Sequence, residues 1–176
     1  NSDIGTLLTN PKNFGVHREY NKNFAVGRYF HQLLLEPNKA SNFITVDVAS
    51  RNTKAYKEAL EASSESVLLL SKEAESTQQL TETMMSNIHF YDLIRDEGNQ
   101  YEVPAVGEIM GHQWKGKADI VGADVLVDLK TTSDIDGFRW SAKKYNYDSQ
   151  CYVYQALFGK PLIFLVIDKA SGMLGE

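Results

Sequence analysis

The chain has 176 residues, of which 43% are apolar and 23% charged, the makeup of one globular domain with a real core. Its longest apolar run, residues 162–167, is far below the roughly 20 residues needed to cross a bilayer, and no basic-then-apolar leader opens it, so membrane insertion and secretion are not expected. The lone Cys151 excludes an internal disulfide and a multi-cysteine zinc site, and it fits a reducing, cytoplasmic setting.

The first third reads as helical with breaks. Residues 4–9 form a short apolar turn stopped by Asn10-Pro11. Residues 24–35 place Phe24, Ala25, Tyr29, Phe30, Leu33 and Leu34 near helical period, with His31 inside the stripe. Glu36-Pro37 ends that helix, because a residue before proline avoids the α region. A histidine on such a helix is read as a core or boundary residue or as a metal ligand; the helix alone does not choose. Residues 43–48 read as a short strand. Thr53 caps a helix through about residue 62, with Lys57 and Glu61 one turn apart. Residues 70–88 form a longer helix with Leu80, Met84 and Ile88 on one stripe, and 89–95 add a further turn.

The second half changes character. Residues 101–109, 114–121 and 125–130 read as three strands, 138–158 as one helix capped at Gly159, and 162–168 as a buried, central strand. The expected architecture is a single α/β domain over 1–176, with a helical part at 1–98 and a mixed sheet with a crossover helix at 99–176. Charge is uneven. Residues 55–102 hold ten acids against Lys57, Lys72 and Arg95, whereas 137–160 hold Arg139, Lys143, Lys144 and Lys160 against Asp148. The net charge of −5 is unlike that of a strongly basic nucleic-acid binder, and the later segment is the one suited to phosphates.

Chemistry concentrates in the strands. If Gly122 pairs with Val125 across a two-residue turn, Asp119 lies opposite Asp128. Like charges facing across a hairpin are destabilising unless a cation joins them, and oxygen ligands suit a hard ion such as Mg²⁺. Lys130 shares the face of Asp128. A solvated charged face has the same spacing, so both readings stay open. With the preceding turn at 111–112, Glu102 falls diagonally from Asp119 and Glu108 lies opposite Lys115. On the following helix Tyr147, Gln150 and Tyr154 share one face, as a boundary surface or as groups that hold a phosphate or water.

In this order these residues resemble the PD-(D/E)XK nuclease core, and most closely the RecE-like exonucleases (exonuclease VIII type). The segments are 27–37 with His31 and Glu36-Pro37, Tyr101-Glu102-Val103-Pro104, Lys115-Gly116-Lys117-Ala118-Asp119, Asp128-Leu129-Lys130-Thr131-Thr132, and Tyr147, Gln150 and Tyr154. Ala118 stands where that family usually has proline, and the chain stops soon after residue 168, where relatives continue. The resemblance implies a restriction-endonuclease-like fold and a metal-dependent exodeoxyribonuclease that digests linear duplex DNA from an end. Asp119, Asp128, the Leu129 carbonyl and His31 would hold Mg²⁺ or Mn²⁺. Lys130 would orient the water, Gln150 and Tyr154 would brace it, and Glu102 would serve a second metal or its water. It also implies a homo-oligomeric ring, a single-strand annealing protein as partner, and a bacterial or phage-encoded cytoplasmic protein of recombination. An endonuclease of the same superfamily and a non-catalytic DNA-binding module are the rival readings.

Overall fold

A computed structural model describes residues 2–16 and 21–176. The chain forms two compact units, residues 1–17 with 88–176 and residues 18–87.

The smaller unit is mainly helical. Helix α2 (Lys22–Leu35) starts where Asn21 accepts the N–H groups of Asn23 and Phe24, and it ends at Glu36 before Pro37. Its buried face is Ala25, Tyr29, Phe30, Leu34 and Leu35; Phe24, counted in the apolar stripe from sequence, is exposed. A short helix, α3 (Pro37–Ala40), follows. The expected strand at 43–48 shrinks to β1 (Thr45–Val46), which pairs in parallel with β2 (Leu69–Leu70). Between them lies α4 (Lys54–Glu61), capped by Thr53 as expected; its ion pair joins Lys54 to Glu58 rather than Lys57 to Glu61. Helix α5 (Ser71–Ser86) buries Ala74, Thr77, Thr81 and Met84. The expected stripe fails at its end. Asn87 is extended and breaks the helix, and Ile88 is 78% exposed. Arg51 locks this unit: its guanidinium grips both Glu73 oxygens and the Leu68 carbonyl, while Glu73 also accepts the Leu70 N–H.

The larger unit carries α1 (Ser2–Thr9), α6 (Ile88–Arg95) and a five-stranded sheet. The strands are β3 (Gln100–Ile109), β4 (His112–Val121), β5 (Leu126–Thr132), β6 (Leu162–Asp168) and β7 (Leu174–Gly175), adjacent in that order. All neighbours run antiparallel except β5 and β6. That parallel pair needs a long crossover, supplied by α7 (Phe138–Lys144) and α8 (Tyr147–Phe158). The sequence expects one helix over 138–158. Asn146 adopts a left-handed conformation and splits it, a backbone state asparagine tolerates better than most residues. Gly159 caps α8 at φ +69. The mixed α/β sheet flanked by helices is the architecture the sequence implies. β6 is interior to the sheet, though β5 holds its middle.

The β4–β5 turn places Ile120 opposite Val127, with the Gly122 N–H bonded to the Val125 carbonyl, the register read from sequence. The β3–β4 turn differs. Met110 and Gly111 occupy it at φ +54 and +75, the positive pair that a type I′ hairpin needs, with glycine in the second place. Glu108 therefore faces Gln113 rather than Lys115, and the flanking pairs, Tyr101 with Ile120 and Val103 with Ala118, set Glu102 level with Asp119 rather than diagonal to it.

Helix α8 lies close on this hairpin. A Cβ at Gly116 would stand 3.0 Å from both Leu157 Cδ1 and Tyr154 Cε1. Gly27, inside α2, has no atom within 4 Å of such a Cβ. Gly116→Val is expected to destabilise the protein by about 1–3 kcal/mol through overpacking. Gly27→Ala is expected to stabilise it by about 0.5–1 kcal/mol through lost chain entropy. Denaturant midpoints of the two variants should move in opposite directions.

Candidate active site

The candidate site of the larger unit is built on β3, β4, β5 and α8. The alternation along β4 gives way to three consecutive buried residues, Ala118, Asp119 and Ile120, and Asp119 is 9% exposed. Its Oδ2 accepts the Leu129 N–H at 2.9 Å across the strand pair. Continuing the Ile120–Val127 register by one step sets Asp119 opposite Asp128 on β5.

Asp128 is 3% exposed. Its Oδ1 accepts from the Gln150 side-chain amide, and its Oδ2 pairs with the Lys130 ammonium. Gln150 is itself buried on α8. Lys130 leans between aromatic rings, with its Nζ 5.0 Å from the centre of Tyr147 and 5.6 Å from that of Phe164. Burial drives the Lys130 ammonium toward neutrality, but the Asp128 and Asp119 carboxylates outweigh that and hold its pKa above the ordinary 10.5. It stays a cation in a half-apolar cage. Tyr154 donates its hydroxyl to the Lys117 carbonyl at 2.8 Å, and burial pushes its phenol pKa up, with Asp128 and Asp119 adding to the shift.

Glu102 is the residue whose place the sequence misjudges. It interrupts β3 at φ +55, a conformation that costs a side-chain-bearing residue on the order of 1–3 kcal/mol. The kink carries its carboxylate to Asp119, with an oxygen of each within 4.8 Å. Lys117 pairs with the same Glu102 carboxylate. Two oxygens bound to one hard cation lie at most about twice the metal–oxygen distance apart, roughly 4–5 Å, so Glu102 and Asp119 fit a shared divalent ion by donor chemistry and spacing. Glu108, toward the hairpin turn, lies away from this pair in register. Leu129 is fully buried and enters through its amide N–H. His31 belongs to the other unit, half-buried on α2 with its ring 6.0 Å from that of Phe30. Phe164 escapes the sequence reading: it sits in a uniformly apolar strand, and only the parallel pairing of Asp128 with Phe164 brings it to Lys130.

An antiparallel hairpin feeding a parallel strand, with Asp119 and then Asp128-Leu129-Lys130 on its inner strands, defines a PDDEXK-like domain. Residues 9–167 match the family described as PDDEXK-like domain of unknown function (DUF3799), and the chain belongs to that family. No curated protein matches the chain. Among solved structures it is similar to the "Putative exonuclease" from Eubacterium rectale, at a TM-score of 0.62 and 19% identity over 90% of this chain. The chain spans only 59% of that protein's length. Similarity to the structure of SSO0001 is weaker, at a TM-score of 0.37 and 15% identity over 85% of this chain and 75% of that one. No helix among the described residues is long and apolar enough to cross a membrane.

Because the folded state holds the Lys130 proton more tightly than the unfolded chain, this group's contribution to stability is complete below about pH 10 and is lost at higher pH. The unfolding free energy should fall on alkalinisation above the ordinary lysine pKa, and more shallowly in Lys130→Met. Denaturant titrations at neutral and strongly alkaline pH check this.

Proposed function

We propose that the chain is a metal-dependent exodeoxyribonuclease of RecE-like type that digests linear duplex DNA from an end. The observation that carries the reading is the pair of carboxylates, Glu102 on β3 and Asp119 on β4, brought together next to the Asp128–Lys130 pair of β5, within a PDDEXK-like domain. The name of the Eubacterium rectale relative agrees with it.

Asp119, Asp128, Glu102, the Leu129 carbonyl and His31 are the residues that would hold Mg²⁺ or Mn²⁺. A divalent ion there supplies Lewis-acid polarisation of the scissile phosphate and acidifies bound water. Lys130, held in its charged form at neutral pH by Asp128 and Asp119, is a donor suited to orient the attacking water and to offset charge building on the phosphate. Gln150 fixes Asp128 in one orientation. Tyr154, anchored on the Lys117 carbonyl, braces the neighbouring phosphate. The family resemblance extends the proposal to a ring-forming homo-oligomer acting with a single-strand annealing protein.

Purified protein with Mg²⁺ or Mn²⁺ is expected to degrade linear duplex DNA and to leave covalently closed circles intact. Cutting of closed circles would favour the endonuclease reading. Lys130→Ala should lower cleavage at least about a hundredfold, since an electrostatic group at the reacting phosphate is removed, while circular dichroism stays native. Cleavage by that variant at the wild-type rate would reject the assignment.

A further inference from the structure

The larger unit holds a groove of about 910 Å³ that neither the family description nor the roles above assign. Ile4 and Leu7 of α1 and Phe14 form one wall, and Trp114 with neighbouring residues of the β3–β4 hairpin forms another. Gln150 and Tyr154 of the candidate site complete the lining, so the groove is continuous with the place where a phosphate would meet Lys130. Leu7 and Phe14 are 45% and 55% exposed. The groove includes Lys115 and Lys117, and no acidic residue lines it among the described residues. The indole Nε1–H of Trp114 is shielded from solvent and has no acceptor among the described residues.

We propose that this groove is a nucleoside subsite, which holds the base and sugar of the deoxynucleotide next to the scissile phosphate. The inference rests on the nuclease reading above and adds to it where the strand lies. Aromatic and aliphatic walls suit the faces of a base, and they stack on any base without selecting its sequence. The two lysines suit the flanking phosphodiester, and they do not suit an apolar peptide. The indole N–H takes a base carbonyl or a phosphate oxygen as its missing acceptor. The volume lies within the range of small-molecule sites.

Trp114 reports on its own groove once the second tryptophan is removed, so the test uses the full chain carrying Trp140→Phe. Binding of a 5′-phosphorylated thymidine tetranucleotide is followed by Trp114 emission with no divalent ion added. An oligomer of equal length and charge with abasic sugars is the comparison. The tetranucleotide is expected to shift the emission and to bind about five- to a hundredfold more tightly than the abasic oligomer. Leu7→Ala with Phe14→Ala, at two exposed positions, should abolish that preference. Equal affinity for the two oligomers, or full preference in the double variant, overturns the subsite. If it falls in this way while linear DNA is still degraded, the nuclease reading stands alone. If base-dependent binding persists and no metal supports cleavage, the groove is a nucleotide site and the nuclease reading falls.

Discussion

Burying acids inside one sheet is the constraint from which the rest of the larger unit follows. Asp119, Asp128 and Asp168 are each less than a tenth exposed, and an uncompensated buried carboxylate costs several kcal/mol. Each is answered by hydrogen-bond donors of its own. Asp168 accepts the N–H groups of Ala170 and Ser171, which lower its pKa. Asp119 takes a backbone amide from β5. Asp128 takes a neutral amide on one oxygen and an ammonium on the other. Replacing these groups with apolar ones would relieve the desolvation cost, so stability alone does not call for acids at such depth.

Helix α8 is the element that makes the arrangement rigid. It faces the sheet with Gln150 and Tyr154, each bonded to a different strand of the site. It can come that close because Gly107 and Gly116 present no side chain to Leu157. The glycine in Lys115-Gly116-Lys117 thus has a packing role, while the residues around it carry charge. Site geometry and core packing are therefore one problem here, solved by the same two helical turns.

Much of this was legible in the chain. The β4–β5 register followed from a two-residue turn and the pleat alone, because alternation leaves few options once the turn is fixed. Helix α2 and its stop at Glu36-Pro37 followed from local stereochemistry. What escaped depended on left-handed backbone at residues other than glycine. Met110 shifted the hairpin by one position, Asn146 divided the crossover helix, and Glu102 turned its carboxylate out of the regular ladder. No period marks such residues, since a single left-handed residue leaves no repeating pattern in the sequence. Phe164 and the groove escaped for a related reason: an aromatic in an apolar run acquires a role only when pairing decides what lies beside it.

The Met110–Gly111 turn sits midway between Glu102 and Asp119, eight positions from each. The hairpin therefore acts as a ruler whose two arms must keep equal length. A single insertion on either arm would carry one acid to the opposite surface, while matched insertions on both would lengthen the ribbon and leave the acids facing each other. Descendants of this sequence are thus free to grow or shed the outer hairpin only in symmetric steps, so that variation in its reach can accumulate while the acids at its base remain in step.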